Sequence, residues 1–270
     1  MHSTTRIALV TALVAIPASL FAQAGRIDEE LAKGRAMLAA DNPGELWELK
    51  GSKLFYEKRG PKNASLEQCD LGQGPGRLEG AFAQLPRYFA DTGRVQDMES
   101  RLLSCMVELQ GFQEADLKKN AFSTLSRNSD MEALATFVAA KSNGMKLAAP
   151  LAHEKEREMY AAGEKIFFRR NGPMDFACTT CHDNTAGKRI RLQDLPNMND
   201  PKEIQGVMST WPAYRGTQST VRTMQHRLFD CNWQMRLPPL GYVSDFSIAL
   251  TTYLTQKAAG GMIEVPGSKR

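Results

Sequence analysis

Residues 171–183 read "NGPMDFACTTCHD" and contain two of the chain's five cysteines and one of its four histidines. The pattern Cys178-x-x-Cys181-His182 is the attachment signature of c-type haem, in which two thioethers hold the porphyrin and the histidine binds the iron. A dithiol redox site and half of a zinc site also use C-x-x-C. The adjacent histidine and the lack of a second C-x-x-C favour haem. The sequence therefore predicts one covalently bound haem, whose iron has a second axial face.

The composition indicates an exported globular protein. The chain has 270 residues, of which 42% are hydrophobic and 24% charged, and this balance suits two modest domains. Residues 1–24 combine a positive start, an apolar stretch and the cleavage-like "AQA", which predicts a signal peptide rather than an uncleaved anchor. No other apolar run approaches the length of a membrane span, so we expect a periplasmic protein outside the membrane. A formal charge of +4 without a basic run argues against nucleic acid as a partner.

Comparison of the chain with itself reveals two copies of one domain. Four blocks recur in the same order at offsets from 112 to 126: 51–61 with 163–173, 85–95 with 211–221, 100–105 with 226–231, and 134–144 with 250–260. Conserved order with small insertions is the signature of an internal repeat. We therefore predict a first domain over 25–147 and a second over 148–270.

The first copy has lost the haem motif. The offset of 112 places Leu66 and Asp70 opposite Cys178 and His182, and only Cys69 keeps a cysteine as its counterpart. A site without the histidine and one of the two thiols has neither the iron ligand nor the double tether. We therefore expect the first domain to bind no haem.

Helical periodicity opens and closes each copy. In the second copy, apolar side chains recur at helical spacing from Met159 to Phe167 and again from Phe246 to Leu254, with Ser244 as the expected N-cap. Few segments alternate like strands. First and last helices that pack across each other around a haem are typical of class I cytochrome c domains. The predicted fold is therefore mainly α, with two tandem class I cytochrome c-like domains, the N-terminal one without haem.

The same alignment predicts a cysteine pair. Cys105 stands opposite Cys231 at the offset of 126, and Cys69 stands opposite Cys181. In the intact copy both positions are expected to converge on the haem. Without haem, the two thiols of the first copy would meet across the vacated space. In an oxidising compartment we therefore predict a Cys69–Cys105 disulfide rather than two free thiols.

Cys231 then remains unpaired, and its role is open. It is either a buried thiol packed as a small hydrophobe or the ligand for the open face of the iron. Met224, His226 and Met235 lie nearby in sequence and compete for that face, and methionine is a common partner of histidine in cytochromes c.

Arg227 precedes Cys231 by four residues, so the two share a face if this stretch is helical. There a guanidinium would lower the pKa of the thiol and hold an anion through paired hydrogen bonds. The plain alternative for Arg227 is a salt bridge to a haem propionate or to a surface carboxylate.

With these features the chain resembles the SoxA family, the catalytic subunits of the SoxAX cytochromes of sulfur oxidation. The resemblance rests on the signal peptide, the tandem domains, the single C-x-x-C-H and the lone cysteine in "HRLFDCNWQMR" at 226–236. It implies L-cysteine S-thiosulfotransferase activity, in which thiosulfate is joined oxidatively to a cysteine of the carrier protein SoxYZ. It also implies a haem-bearing partner, SoxX, with which the chain forms a heterodimer.

The resemblance also implies roles for individual residues. Cys178 and Cys181 would hold the haem, and His182 would be its proximal ligand. Cys231 would be the distal ligand, found in the family as a persulfide, and the sulfur-transfer nucleophile. Arg227 would bind the anionic substrate.

Some family members carry haem in both domains, and the departures at Leu66 and Asp70 match the single-haem type. In that type the resemblance again implies the Cys69–Cys105 disulfide. Two other functions compete with sulfur transfer. One is a non-enzymatic electron carrier with methionine or histidine as sixth ligand, and the other is a haem peroxidase with a labile distal face.

Overall fold

The computed structural model describes residues 29–30, 33–34, 36–37, 40–183, 188–190 and 193–269. The predicted signal peptide lies outside these residues. The chain divides into two units, Met1–Asp41 and Asn42–Arg270. In the first unit, Lys33 Nζ lies 3.2 Å and 3.1 Å from carboxylate oxygens of Glu29 and Glu30. The second unit contains both repeated copies. Within the described ranges, no helix is long and apolar enough to cross a bilayer.

The described part of the chain is mainly helical, as predicted. In the first copy the helices are α1 (Glu45–Tyr56), α2 (Met98–Glu108), α3 (Glu114–Lys119) and α4 (Asp130–Ala140). In the second copy they are α5 (Glu154–Phe168), α6 (Cys178–His182), α7 (Pro201–Met208), α8 (Met224–Gln234) and α9 (Asp245–Lys257).

Short strands connect the helices. Two antiparallel pairs are formed by β1 (Arg87–Phe89) with β2 (Arg94–Gln96) and by β3 (Arg189–Ile190) with β4 (Gln193–Asp194). A three-stranded sheet has the order β6 (Thr220–Arg222), β5 (Ala213–Arg215), β7 (Gly267–Lys269). In this sheet β7 runs parallel to β5, so the end of the chain returns to the second copy's hairpin.

In each copy the first and last helices cross at a glycine. A Cβ on Gly51 of α1 would lie 2.0 Å from the carbonyl oxygen of Ala133 in α4. A Cβ on Gly163 of α5 would lie 2.0 Å from the carbonyl oxygen of Ala249 in α9. The helix backbones therefore touch at a distance that excludes any side chain. The predicted crossing is confirmed in both copies.

The hairpin and the helix after it also recur at the offset of 126. Hairpin β1–β2 leads into α2, and hairpin β5–β6 leads into α8. Asp97 caps α2 and Thr223 caps α8, and each side-chain oxygen accepts the backbone N–H three residues further on. Such caps satisfy amide groups that the helix itself leaves unpaired. The second copy therefore presents α8 where the first copy presents α2.

A disulfide occupies the interior of the first copy. The sulfur atoms of Cys69 and Cys105 are bonded at 2.03 Å, as expected from the sequence. Leu66 and Leu102, both fully buried, belong to the same hydrophobic cluster. The bridge joins residues 36 positions apart, and a loop of that length corresponds to roughly 4 kcal/mol of stabilisation in the chain-entropy model.

The two copies share their interior. Val221 and Val243 of the second copy belong to the hydrophobic cluster of the first. Conversely, Ala83, Ala139 and Leu147 of the first copy belong to the cluster of the second. Residues 42–270 therefore pack as one unit, and neither copy buries its apolar surface alone.

One detail of the predicted helix pattern is wrong. Phe246, expected to face the core, is 42% exposed, and the buried face of α9 begins at Ser247. Phe246 lies in the first turn of α9, ahead of the point where that helix crosses α5 at Ala249. The expected cap is confirmed, because the side chain of Ser244 accepts the backbone N–H of Ser247.

The helix crossings predict a large difference between glycines. We expect Gly163→Ala to lower the free energy of unfolding by about 1–3 kcal/mol, because the added methyl group forces α5 away from α9. Gly206→Ala in α7 is the matched control, since a Cβ there meets nothing within 4 Å. That variant is expected to gain roughly 0.5–1 kcal/mol from helix propensity. Urea unfolding of the haem-loaded protein measures the free energy of unfolding of both variants. Equal values for the two variants would contradict the close crossing of α5 and α9.

Candidate functional site

The attachment motif forms the short helix α6. An antiparallel bridge between Asn171 and Phe176 reverses the chain after α5 and delivers it to Cys178. Cys178, Cys181 and His182 then line one cavity of about 490 Å³. Pockets for cofactors and drug-sized ligands span roughly 300–1,000 Å³, so the cavity has a suitable size for a prosthetic group.

The remaining walls suit an apolar ring with acidic edges. Large apolar side chains contribute much of the lining, among them Phe167, Trp211, Leu250 and Leu254. Among the residues that the structure describes, the cationic side chains in the lining are those of Arg215, Arg227 and Lys269. A porphyrin with two propionates needs both kinds of wall, because buried carboxylates are costly without a cation. The donor set and the lining therefore fit a c-type haem.

His182 is held in the tautomer that a metal requires. Its Nδ1 lies 3.0 Å from the carbonyl oxygen of Pro196, and because a carbonyl only accepts, Nδ1–H donates and Nε2 keeps its lone pair. Burial lowers the pKa of His182, and the charge of Arg227 lowers it further, although the Pro196 carbonyl opposes both. The imidazole is therefore neutral and oriented, as a ligand of iron must be.

Helix α8 places Cys231 and Arg227 on the cavity wall, which confirms that this stretch is helical. Met224 and Met235 line the same cavity. Burial raises the pKa of the Cys231 thiol, and the charge of Arg227 lowers it, as expected from the sequence. The effect of burial is the larger of the two, so the net direction is upward. Burial likewise raises the pKa of Cys178, to about 12, with Cys231 and Cys181 adding to the effect.

His226 lies on the opposite face of α8. Its ring is buried and its Nδ1 lies 2.5 Å from a carboxylate oxygen of Glu132 in α4. The described lining of the cavity does not include it. Because successive helical residues are rotated by 100°, neighbours of Arg227 in sequence point elsewhere. This arrangement removes His226 from the candidate iron ligands and leaves Cys231 with the two methionines.

The repeat provides an internal comparison for Arg227. Its counterpart Arg101 is 3% exposed and is bound by several partners in the first copy. Arg101 donates to the carbonyl oxygen of Asp70 at 2.6 Å, pairs with Asp91 at 2.7 Å and covers the Phe89 ring at 4.1 Å. The guanidinium of Arg227 forms no hydrogen bond or ion pair with any residue that the structure describes, and it faces the cavity. The guanidinium of the second copy is therefore available to a ligand.

The counterpart of the haem site in the first copy is filled by protein. Leu66, opposite Cys178, is fully buried. Asp70, opposite His182, is a loop residue whose carboxylate accepts the backbone N–H groups of Gly72 and Gly74 at 2.7 Å and 2.9 Å. Leu66, Asp70 and the disulfide of the first copy therefore stand at the positions that Cys178, His182, Cys181 and Cys231 hold in the second copy.

The sequence analysis missed two residues of the cavity wall, Arg215 and Lys269. Strand β7 pairs with β5 and sets Arg215 beside Lys269, although 54 positions separate them in the chain. Burial lowers the pKa of Lys269, and the neighbouring charge of Arg215 lowers it further. A basic C-terminal "SKR" was the only local signal, and it does not reveal a pairing over that distance.

Known proteins resemble this chain over most of its length. A family model described as the SoxA/TsdA cytochrome c domain matches residues 50–147 and again 162–263. The L-cysteine S-thiosulfotransferase subunit SoxA of Hydrogenophilus thermoluteolus is 44% identical over 236 residues, which cover 87% of this chain and 86% of that protein. A subunit of the same name from Hydrogenobacter thermophilus is 36% identical over 245 residues, covering 90% and 89%.

A solved structure shows the same fold. In the crystal structure of SoxXA from P. pantotrophus, one chain aligns with a TM-score of 0.72 at 23% identity, covering 88% of this chain and 84% of that one. The family model matches twice, once in each repeated copy, and both matches run through the crossed helices. The chain therefore belongs to the SoxA family of cytochromes c, with two SoxA/TsdA cytochrome c domains.

Proposed function

We propose that this chain catalyses haem-dependent oxidative sulfur transfer, joining thiosulfate to a cysteine of the carrier protein SoxYZ. The observation that carries the proposal is the pairing of Cys231 with an unpartnered Arg227 on the cavity face of α8. Relatives with up to 44% identity are L-cysteine S-thiosulfotransferase subunits. A thiol and a free guanidinium beside a haem site are what such a reaction needs.

The chain is proposed to carry one haem, in the second copy. Cys178 and Cys181 form the thioethers, and Nε2 of His182 is the proximal ligand because Nδ1–H is committed to Pro196. Bound haem supplies an acceptor for single electrons. The apolar wall excludes water, and the cationic side chains neutralise the propionates.

Cys231 is proposed as the distal ligand and as the residue through which sulfur is transferred, in persulfide form. Arg227 holds the thiosulfate dianion one helical turn away, through paired hydrogen bonds from its planar guanidinium. Arg101 supports this role by contrast, because at the same position in the haem-free copy the guanidinium is bound by protein partners.

The net reaction balances in atoms and charge. The sulfur–hydrogen bond of the carrier cysteine breaks and a sulfur–sulfur bond to the terminal sulfur of thiosulfate forms. One proton and two electrons are released. Thiosulfate carries two negative charges and the carrier-bound product carries one, so two electrons and one proton close the balance. Bound haem would accept these electrons, and SoxX is the proposed partner subunit and the source of a second haem.

The proposal also includes the location of the protein, its domain boundaries and the role of the first domain. The chain is exported to the periplasm by the signal peptide at 1–24, and its two domains span 25–147 and 148–270. The first domain has no haem and serves as a structural and docking element.

A second function is kept because Met224 and Met235 also line the cavity. With either as the sixth ligand the chain would be a non-enzymatic electron carrier, and Cys231 would be a packed thiol. The two functions differ in which side chain binds the iron.

The cofactor content is tested by intact mass and peptide mapping of carefully handled holoprotein. We expect the mass of one haem on the peptide that contains residues 178–182, none on the peptide around Cys69, and one additional sulfur on Cys231. A second haem would contradict the single-haem assignment. An unmodified Cys231 would contradict the persulfide while leaving its role as ligand to the next experiment.

The axial ligand is tested by Cys231→Ala, with Met224→Leu and Met235→Leu as matched variants from the same wall. Because a thiolate is a stronger donor than a thioether, we expect Cys231→Ala to change the low-spin spectrum and raise the midpoint potential. Thiosulfate-dependent turnover should be lost. The two methionine variants should keep the wild-type spectrum. An unchanged spectrum for Cys231→Ala, with a change for either methionine variant, would favour the electron carrier.

The anion site is tested by Arg227→Ala and Arg227→Lys. Hydrogen bonds to a charged group contribute about 1.5–3 kcal/mol, so we expect the alanine variant to raise KM for thiosulfate roughly 10- to 150-fold. Lysine keeps the charge without the planar fork and should recover only part of the loss. Arg170→Ala, which removes an exposed cation of the same copy, is the control and should leave KM unchanged. Equal KM values for Arg227→Ala and the control would exclude Arg227 from substrate binding.

A further inference from the structure

The face of α8 opposite the haem cavity is held by the haem-free copy. His226 Nδ1–H donates to Glu132 Oε1 at 2.5 Å, across the junction between the two copies. The side chains of His226 and Glu132 are only 5% and 0% exposed. A hydrogen bond to a buried charge is strong when it is made, and its loss leaves an unpaired buried group. Glu132 is therefore a firm attachment point for α8.

The first copy holds Glu132 and the His226 ring in place. Glu132 Oε2 accepts the backbone N–H of Ser123 at 3.0 Å, so both carboxylate oxygens are engaged. The ring of Phe122 stacks on the His226 ring with centroids 4.3 Å apart and planes 13° apart. The imidazole therefore has a fixed position and a fixed tilt.

A second attachment lies one residue earlier on α8. Gln225 Nε2 donates to Asp97 Oδ2 at 2.6 Å, and Asp97 is the residue that caps α2 of the first copy. Gln225 Oε1 accepts the backbone N–H of Val243 at 2.8 Å. Two buried contacts at adjacent residues fix the rotation of a helix as well as its distance from the partner copy.

The positions of Arg227 and Cys231 in the site depend on the rotation of α8 about its axis. Arg227 directly follows His226 in sequence, and Cys231 lies one turn beyond Arg227 on the cavity face. A helix behaves as a rigid element over one or two turns, so a turn of α8 about its axis moves all three side chains together. Positioning errors of about 1 Å at a reacting group cost roughly 100-fold in rate.

We propose that Glu132 of the haem-free copy is a positioning residue for the sulfur-transfer site: through His226 it sets the rotation of α8 and thereby the placement of Cys231 and Arg227. This inference rests on the function proposed above. It gives the haem-free copy a part in the reaction, since that copy provides the surface against which the reactive helix is aligned.

The test compares four variants of the holoprotein in its complex with SoxX. Glu132→Gln leaves a single acceptor oxygen for the N–H groups of Ser123 and His226 and so weakens the contact, and His226→Leu removes it. His226→Asn is the conservative variant, because its amide nitrogen lies close to the position of Nδ1 and keeps a donor. Asp130→Asn is the matched control: it lies two residues from Glu132 on α4, and it breaks ion pairs with Lys50 at 2.8 Å and Arg59 at 2.6 Å inside the first copy.

Three measurements are made on each variant: the electron paramagnetic resonance spectrum of the oxidised haem, kcat and KM for thiosulfate turnover, and urea stability. We expect Glu132→Gln and His226→Leu to alter the spectral signature of the axial ligand and to lower kcat about 10- to 100-fold. His226→Asn should recover most of both. Asp130→Asn should lower stability while its spectrum and kcat stay at the wild-type values.

The proposal is overturned if Glu132→Gln and His226→Leu keep the wild-type spectrum and kcat, or if Asp130→Asn changes both to the same extent. If Glu132→Gln fails to fold, the comparison of His226→Leu with His226→Asn decides the question. Failure of the proposed function is distinguishable, because the wild-type complex would then show no thiosulfate turnover. In that case the haem spectra of the variants still report whether α8 has moved.

Discussion

Both halves of this protein depend on the close crossing of two helices at a glycine. Because glycine has only a hydrogen atom as its side chain, the backbone of α1 approaches that of α4 at Gly51. Helix α5 approaches α9 in the same manner at Gly163. The contact ties together segments about 80 residues apart and leaves the intervening chain to form loops around one side of the crossing. The haem motif, the hairpin and α8 all lie in such loops in the second copy. The site is therefore built on a frame that the two crossed helices provide.

The two copies have the same crossed helices but differ in the residues that lie beside them. In the second copy three thiols, an imidazole and cationic side chains line the described part of a cavity. In the first copy a disulfide and the buried Leu66 stand at the equivalent positions, and Arg101 is bound by protein partners. A cross-link and packed side chains can stabilise a domain that has no prosthetic group, because they replace the contacts that the porphyrin would make.

Helix α8 contacts both the cavity of the second copy and the interior of the first copy. One face carries Cys231 and Arg227 into the cavity, and the other carries Gln225 and His226 to buried carboxylates of the first copy. Because these side chains alternate along a single rigid helix, the chemistry on one face and the domain contact on the other are mechanically linked. In the proposed function, this gives the duplicated architecture an asymmetry in which one copy binds haem and the other aligns a wall of its site.

The sequence by itself determined what short spacing encodes. The C-x-x-C-H run predicted the haem-attachment residues Cys178, Cys181 and His182. Helical periodicity predicted the crossed helices, and the repeat offsets predicted the disulfide partner of Cys69. Three positions were decided only by the tertiary structure: His226 points away from the cavity, Lys269 lies beside Arg215, and Glu132 contacts α8. These contacts join residues 54 to 94 positions apart, and they depend on helix rotation and strand pairing. No local pattern encodes either quantity, because both are set by which surfaces pack once the chain has folded.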